Sequence, residues 1–146
     1  MYCTITDVQG LMAGRQLTFS STSNPTDTMV NSWLTMIYDE INQTISRAGY
    51  TIPQTTNGYL QLTQAYGVAG LVETALNVEG TSDAVESRNF KTKEYQNRLA
   101  DIKKDPRMTG AVPISSAEYG QKFASSDVTI GYKNTNATFT KDGNNW

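Results

Sequence analysis

The sequence predicts a mainly α-helical protein, a small four-helix bundle followed by an extended, partly β-hairpin C-terminal arm. Three observations predict it. Apolar residues recur at helical spacing through long stretches between residues 24 and 104. Gly and Pro punctuate the chain between those stretches. After Met108 the helical period stops, and short alternating runs rich in Ser, Thr, Asn and Gly take over. Two regions follow, a helical bundle over 1–107 and an arm over 108–146.

Thr6 to Met12 reads as a short first helix, with Thr6 and Gln9 at capping-box spacing and Val8, Leu11 and Met12 facing inward. Gly14 ends it. Residues 15–23 read as an extended segment in which Leu17 and Phe19 alternate with polar residues. The stretch from Asn24 to Tyr50 reads as the central helix of the bundle. Val30, Trp33, Leu34, Ile37, Ile41, Ile45 and Ala48 form its stripe, widened by Met29, Met36 and Tyr38. Asn24 is the expected cap, Pro25 suits the first helical position and Asp27 places negative charge in the first turn. Gly49 and Pro53 mark the stop.

Tyr59 to Asn77 reads as the third helix, with Leu62, Ala65, Ala69, Val72 and Leu76 on one stripe. Gly67 and Gly70 lie inside it, where each costs about 1 kcal/mol relative to Ala. Another backbone is therefore expected close by, either the central helix or a neighbouring subunit. Asp83 and Glu86 mark the capped start of a fourth helix that runs to about Lys104, before Pro106. Its apolar stripe is thin: Val85, Tyr95, Leu99 and Ile102. It carries Arg88, Lys91, Lys93, Arg98, Lys103 and Lys104, which read either as a solvated face or as a basic strip for phosphate or an acidic partner.

In the arm, Pro113 breaks the start and 117–124 offers a weak helical turn. Val128, Ile130 and Tyr132, then Ala137 and Phe139, alternate around a turn at 133–136 and predict a β-hairpin. A lone hairpin is marginal in water, so it needs its own bundle or an adjacent chain to lie on. Val128, Ile130, Tyr132, Phe139 and the terminal Trp146 are thus candidate contacts to a neighbouring subunit or partner, together with Gly67 and Gly70.

Composition limits the chemistry. The net charge is −2, from 12 basic and 14 acidic side chains, which disfavours bulk nucleic-acid affinity. The charge is uneven, net −4 over residues 1–80 and net +2 over 81–107. There is no histidine, which removes the commonest general base and metal ligand together. The single Cys3 makes no internal disulfide, fits a reducing compartment and has no histidine to activate it; near a mobile terminus it reads as inert. Asp39 and Glu40 are helix neighbours and do not face each other. No metal, cofactor or catalytic residue is expected, nor a membrane span or a signal peptide.

The run from Tyr2 to Pro53, YCTITDVQGLMAGRQLTFSSTSNPTDTMVNSWLTMIYDEINQTISRAGYTIP, resembles small tailed-phage head–tail connector proteins, also called adaptor or head-completion proteins. The shared pattern is a Tyr/Thr opening, a short helix with Thr6, Asp7 and Val8, a polar Thr/Ser segment, and a long helix with Trp33, Ile37 and Ile41 ending at Gly49, Tyr50 and Pro53. An Ala/Gly-rich helix at Ala65 to Ala75 and a charged helix with Tyr95 and Leu99 complete it, over roughly residues 2–104. The resemblance implies a non-enzymatic virion protein without a cofactor, in a ring of about twelve copies beneath the portal. Its implied partners are further copies of itself, the portal protein and the next neck or tail protein. The ring would join capsid to tail and pass DNA through its channel without sequence-specific binding. Its implied place is the virion neck, assembled in the host cytoplasm. Alternative readings are a small DNA-binding accessory protein, or another neck or tail component such as a stopper or tail terminator.

Overall fold

The computed structural model describes residues 1–76 and 82–114, and in 82–84 the backbone only. The protein is mainly helical. Among the described residues four helices follow in order: α1 (Ile5–Leu11), α2 (Asp27–Arg47), α3 (Gly58–Leu76) and α4 (Ser82–Lys104). Short 3₁₀ turns occupy Ala13–Arg15 and Pro106–Thr109. No strand occurs among the described residues. The hairpin expected over 126–140 and the candidate contacts Val128, Ile130, Tyr132, Phe139 and Trp146 lie outside them.

The helix at the centre is α3, not α2. From Gly58 to Val72 it has no charged residue, and it is buried nearly all round, through Leu60, Thr63, Gln64, Ala65, Val68, Ala69 and Val72. A helix apolar on most sides needs cover on most sides; α1, α2 and α4 all pack on it. By contrast α2 buries one stripe, Val30, Leu34, Ile37, Ile41 and Ile45. Met29 and Met36, which the sequence places in that stripe, are 41% and 51% exposed, and Trp33 is only half-buried. The stripe is narrower than its composition suggests because the wheel positions of Met29 and Met36 turn past α3 into solvent. On α3, Ala65, Ala69 and Val72 of the expected stripe are buried, whereas Leu62 is exposed and Leu60, outside that stripe, is fully buried.

The two interior glycines of α3 are explained within the chain. A Cβ on Gly67 would stand 3.0 Å from Ile37 Cγ2 and 3.0 Å from Tyr95 Cδ2, so α2 and α4 both close on this point. A Cβ on Gly70 would meet the Thr92 hydroxyl at 3.0 Å and the Thr92 backbone nitrogen at 3.6 Å. The close backbone is α4, and neither glycine is left over for a neighbouring subunit.

The caps sit two residues from where the sequence suggests. Thr4, not Thr6, caps α1, and its box partner is Asp7. Asp7 Oδ2 accepts from the Thr4 backbone N–H at 2.7 Å, and the Thr4 hydroxyl accepts from the Asp7 N–H at 3.4 Å. Hydrogen bonds from the Thr4 backbone first, then from its hydroxyl and from Gln61, hold the Asp7 carboxyl below its usual range. Gln9 instead donates to the Leu17 carbonyl at 3.1 Å and ties the extended segment to α1. Thr26, not Asn24, caps α2 by accepting from the Met29 N–H at 3.2 Å. Pro25 lies buried before the helix. Gly49 does adopt the left-handed conformation expected at the α2 stop, with φ of 81°.

Two long-range ties fix the ends. Gln64, fully buried on α3, accepts at Oε1 from the backbone N–H groups of Tyr2 (2.7 Å) and Cys3 (2.8 Å), and donates from Nε2 to the Leu34 carbonyl at 2.7 Å. The Tyr2 hydroxyl donates to Asn42 Oδ1 on α2, and the Tyr2 ring packs on Tyr38. At the other end the compact body continues to Ile114, past the boundary expected near 107. Thr51 N–H donates to the Val112 carbonyl at 2.8 Å and Ile114 N–H to the Gly49 carbonyl at 2.9 Å, while Thr109 and Ala111 are buried. The sequence does not reveal this return because it is carried by backbone groups.

Two glycine substitutions separate the roles. Gly67→Ala is expected to destabilise by about 1–3 kcal/mol despite its better helix propensity, because the methyl has no room. Gly10→Ala in α1, where nothing stands within 4 Å of the Cβ position, is expected to stabilise by about 0.5–1 kcal/mol. Urea denaturation of the two variants beside wild type measures both.

Candidate functional site

One buried polar cluster stands out. Glu73 on α3 is 1% exposed. Its Oε1 accepts from Ser87 Oγ at 3.0 Å and from Lys91 Nζ at 3.1 Å, both on α4. Lys91 Nζ also donates to Ser87 Oγ at 2.7 Å. Arg15 Nη2 lies 2.9 Å from Oε2, yet off the direction of a hydrogen bond, so Oε2 has charge neutralisation without a directed donor. A buried carboxylate is tolerated only when paired in this way. The ammonium donates to a carboxylate and to a hydroxyl of the same cluster, so the cluster reads as a clamp between α3, α4 and the 13–15 turn.

This clamp takes Lys91 out of any surface strip, and the other candidate cations also divide. Arg98 is half-buried, paired with Glu94 at 2.9 Å and held over the rings of Tyr59 and Tyr66 at 5.1 and 5.3 Å. Arg88 is half-buried, whereas Lys93, Lys103 and Lys104 are exposed. At about 100° per residue, Lys93 and Lys104 project from the side of α4 opposite Lys91, and Lys103 lies to one flank. The six residues share one helix but not one face of it.

A cleft of about 340 Å³ lies between α2 and α4, lined by Glu40, Gln43, Thr44, Arg47, Leu99 and Lys103. Tyr95 donates to Glu40 Oε2 at 2.7 Å across its base; burial first, then the Glu40 hydrogen bond and charge, push the Tyr95 phenol pKa upward. Its charged lining is two cations, Arg47 and Lys103, and one carboxylate, Glu40. A second groove, about 440 Å³, runs between α1 and α3 past Gly10, Leu11, Gln61 and Leu62.

Cys3 is not at a mobile end but buried, 4% exposed. Burial first, and Asp7 second, push its thiol pKa up to about 12. Among the described residues, no three His, Cys, Asp or Glu side chains gather as metal ligands, and no helix is long and apolar enough to cross a membrane. Searches of family models, of curated proteins and of solved structures find no match to this chain.

Two outcomes test this picture. Lys91→Met is expected to destabilise by about 3 kcal/mol, because it leaves Glu73 buried with only half-exposed Arg15 as counter-charge; thermal and urea unfolding measure it. Cys3 is expected to react with a thiol reagent only as fast as the N-terminal segment opens. Since its folded pKa lies above its unfolded value of about 8.5, the associated stability is fully present below that value and is lost as pH rises toward 12. Labelling kinetics and an alkaline unfolding series measure these.

Proposed function

We propose that this chain is a structural head–tail connector subunit of a tailed-phage virion, acting by assembly rather than by chemistry. The observation that carries the reading is the order and length of elements. A short capped helix and a polar Thr/Ser segment precede a 21-residue helix, a 19-residue Ala/Gly-rich helix and a 23-residue charged helix, matching the pattern the sequence resembles. Support also comes from the exposed apolar side chains Met29, Met36, Leu62 and Phe90 on the helical body, since an assembly subunit keeps apolar surface for its partners.

In this reading many copies form a ring in the virion neck, beneath the portal and above the next neck or tail protein. DNA passes through the channel without sequence-specific contact. The arm expected from the sequence over 108–146, with Val128, Ile130, Tyr132, Phe139 and Trp146, is in this reading what reaches a neighbouring subunit or the portal. For the alternative of a DNA-binding accessory protein, Lys91 and Arg98 are paired with Glu73 and Glu94, which leaves Arg88, Lys93, Lys103 and Lys104 of the expected strip.

Negative-stain electron microscopy of the purified protein, alone and mixed with the portal from the same genome, tests the reading. A ring docked on one end of the portal is the expected result. Absence of any portal complex, with salt-sensitive DNA affinity instead, would replace the reading with the DNA-binding one. Deleting residues 126–146 is expected to keep the helical circular dichroism signal and to abolish ring formation or portal docking.

A further inference from the structure

We propose that Asn57 is a modification site, deamidated through attack by the backbone nitrogen of Gly58, and that the change unfastens the 106–114 return from the start of α3.

Asn57 and Gly58 form the one Asn–Gly step in the sequence. Glycine carries no side chain to hinder its own main-chain nitrogen. That nitrogen adds to Cγ of the asparagine amide and its proton passes to Nδ2. The Cγ–Nδ2 bond breaks, ammonia leaves, and a cyclic imide closes between Asn57 Cγ and Gly58 N. Water then opens the ring. Addition at Cγ gives aspartate on an unchanged main chain, and addition at the Asn57 backbone carbonyl gives the β-linked isoaspartate. Water enters, ammonia leaves, and nothing is oxidised or reduced.

The nucleophile is open. Gly58 is exposed, and its N–H, an orphan of the first turn of α3, finds no acceptor among the described residues. Neither space nor backbone calls for glycine there. Nothing stands within 4 Å of its Cβ position, and its φ is not positive. The amide, by contrast, is held at both ends. Asn57 caps α3, its Oδ1 accepting from the Leu60 N–H at 2.9 Å. Its Nδ2 donates to the Met108 carbonyl at 3.1 Å. Bringing Cγ onto the Gly58 nitrogen turns the side chain out of both bonds. The folded protein therefore reacts only as often as this cap opens, and more slowly than the unfolded chain.

The two ends of the amide have different fates. In the aspartate product a carboxylate oxygen still accepts from the Leu60 N–H, and its charge suits the start of a helix. Nothing is left to donate to the Met108 carbonyl, which now faces a second oxygen. Among the described residues, the Nδ2 bond is the side-chain hydrogen bond that joins the start of α3 to the Pro106–Thr109 turn. Beyond that turn Ala111 is buried, and Val112 and Ile114 bond to Thr51 and Gly49. Losing the amide donor loosens this return without unwinding α3.

The test incubates the full-length protein at mildly alkaline pH, folded and in urea, and follows each asparagine by peptide-mapping mass spectrometry. In urea, conversion is expected at Asn57 ahead of every other asparagine. In the folded protein it is expected to be slower but detectable, and Gly58→Ala is expected to suppress it in both. Conversion at Asn57 no faster than at other asparagines in urea, none in the folded protein, or an unaltered rate in Gly58→Ala would overturn the site. Equal rates folded and unfolded would overturn its control by the cap. Hydrogen exchange then reads the consequence in Asn57→Asp, the product itself, and in Asn57→Ser, which keeps a capping oxygen without the charge. Both are expected to lose protection at the Gly110 and Ile114 amides and to keep it at Leu60 and Gln61. Unchanged exchange at Gly110 and Ile114, or lost protection at Leu60 in Asn57→Asp, would overturn the unfastening.

Discussion

A helix without a charged residue from Gly58 to Val72 must be covered on most of its circumference, and the rest of the body follows from that requirement. α3 has α2 on one side, α4 on a second and α1 on a third. Its two interior glycines lower its intrinsic helix propensity, but they remove the atoms that would hold α2 and α4 apart. At Gly67 three helices converge, with Ile37 and Tyr95 both 3.0 Å from where a methyl would stand, closer than ordinary van der Waals contact. Dense contact of this kind returns in packing what the glycines lose in propensity.

Polar groups on α3 then fix the register of what surrounds it. Gln64 uses its carbonyl oxygen for two N-terminal backbone donors and its amide for a carbonyl of α2. One side chain thereby aligns the N-terminal segment, α2 and α3. Glu73 does the same for α3, α4 and the turn at Arg15. Each hydrogen bond adds only about 1 kcal/mol net. Their effect is selective, because any slipped arrangement leaves a buried amide or carboxylate unpaired, at greater cost.

The same economy shapes the surface. Titratable groups that are buried are neutral or paired, and the cations of α4 are split between an inner clamp, an aromatic-stacked position and isolated outward sites. Met29 and Met36 on α2 and Leu62 on α3 are the exposed large apolar side chains of those helices.

How much was legible beforehand divides along physical lines. Helical periodicity alone located α2, α3 and α4, because a period of 3.6 sustained over several turns has no competing explanation. The left-handed stop at Gly49 was equally local. The caps were displaced because Thr4 and Thr6, or Asn24 and Thr26, have nearly equal intrinsic preference, and only the path of the incoming chain selects between them. The identity of the central helix, the Glu73–Lys91 clamp, the partners of Gly67 and Gly70 and the return of residues 110–114 to Gly49 were decided by tertiary structure. Each depends on which residues distant in sequence come within a few ångströms, and neither composition nor spacing encodes that distance. The sequence by itself determined that there would be long helices; the packing decided which helix stands at the centre and which faces each one buries.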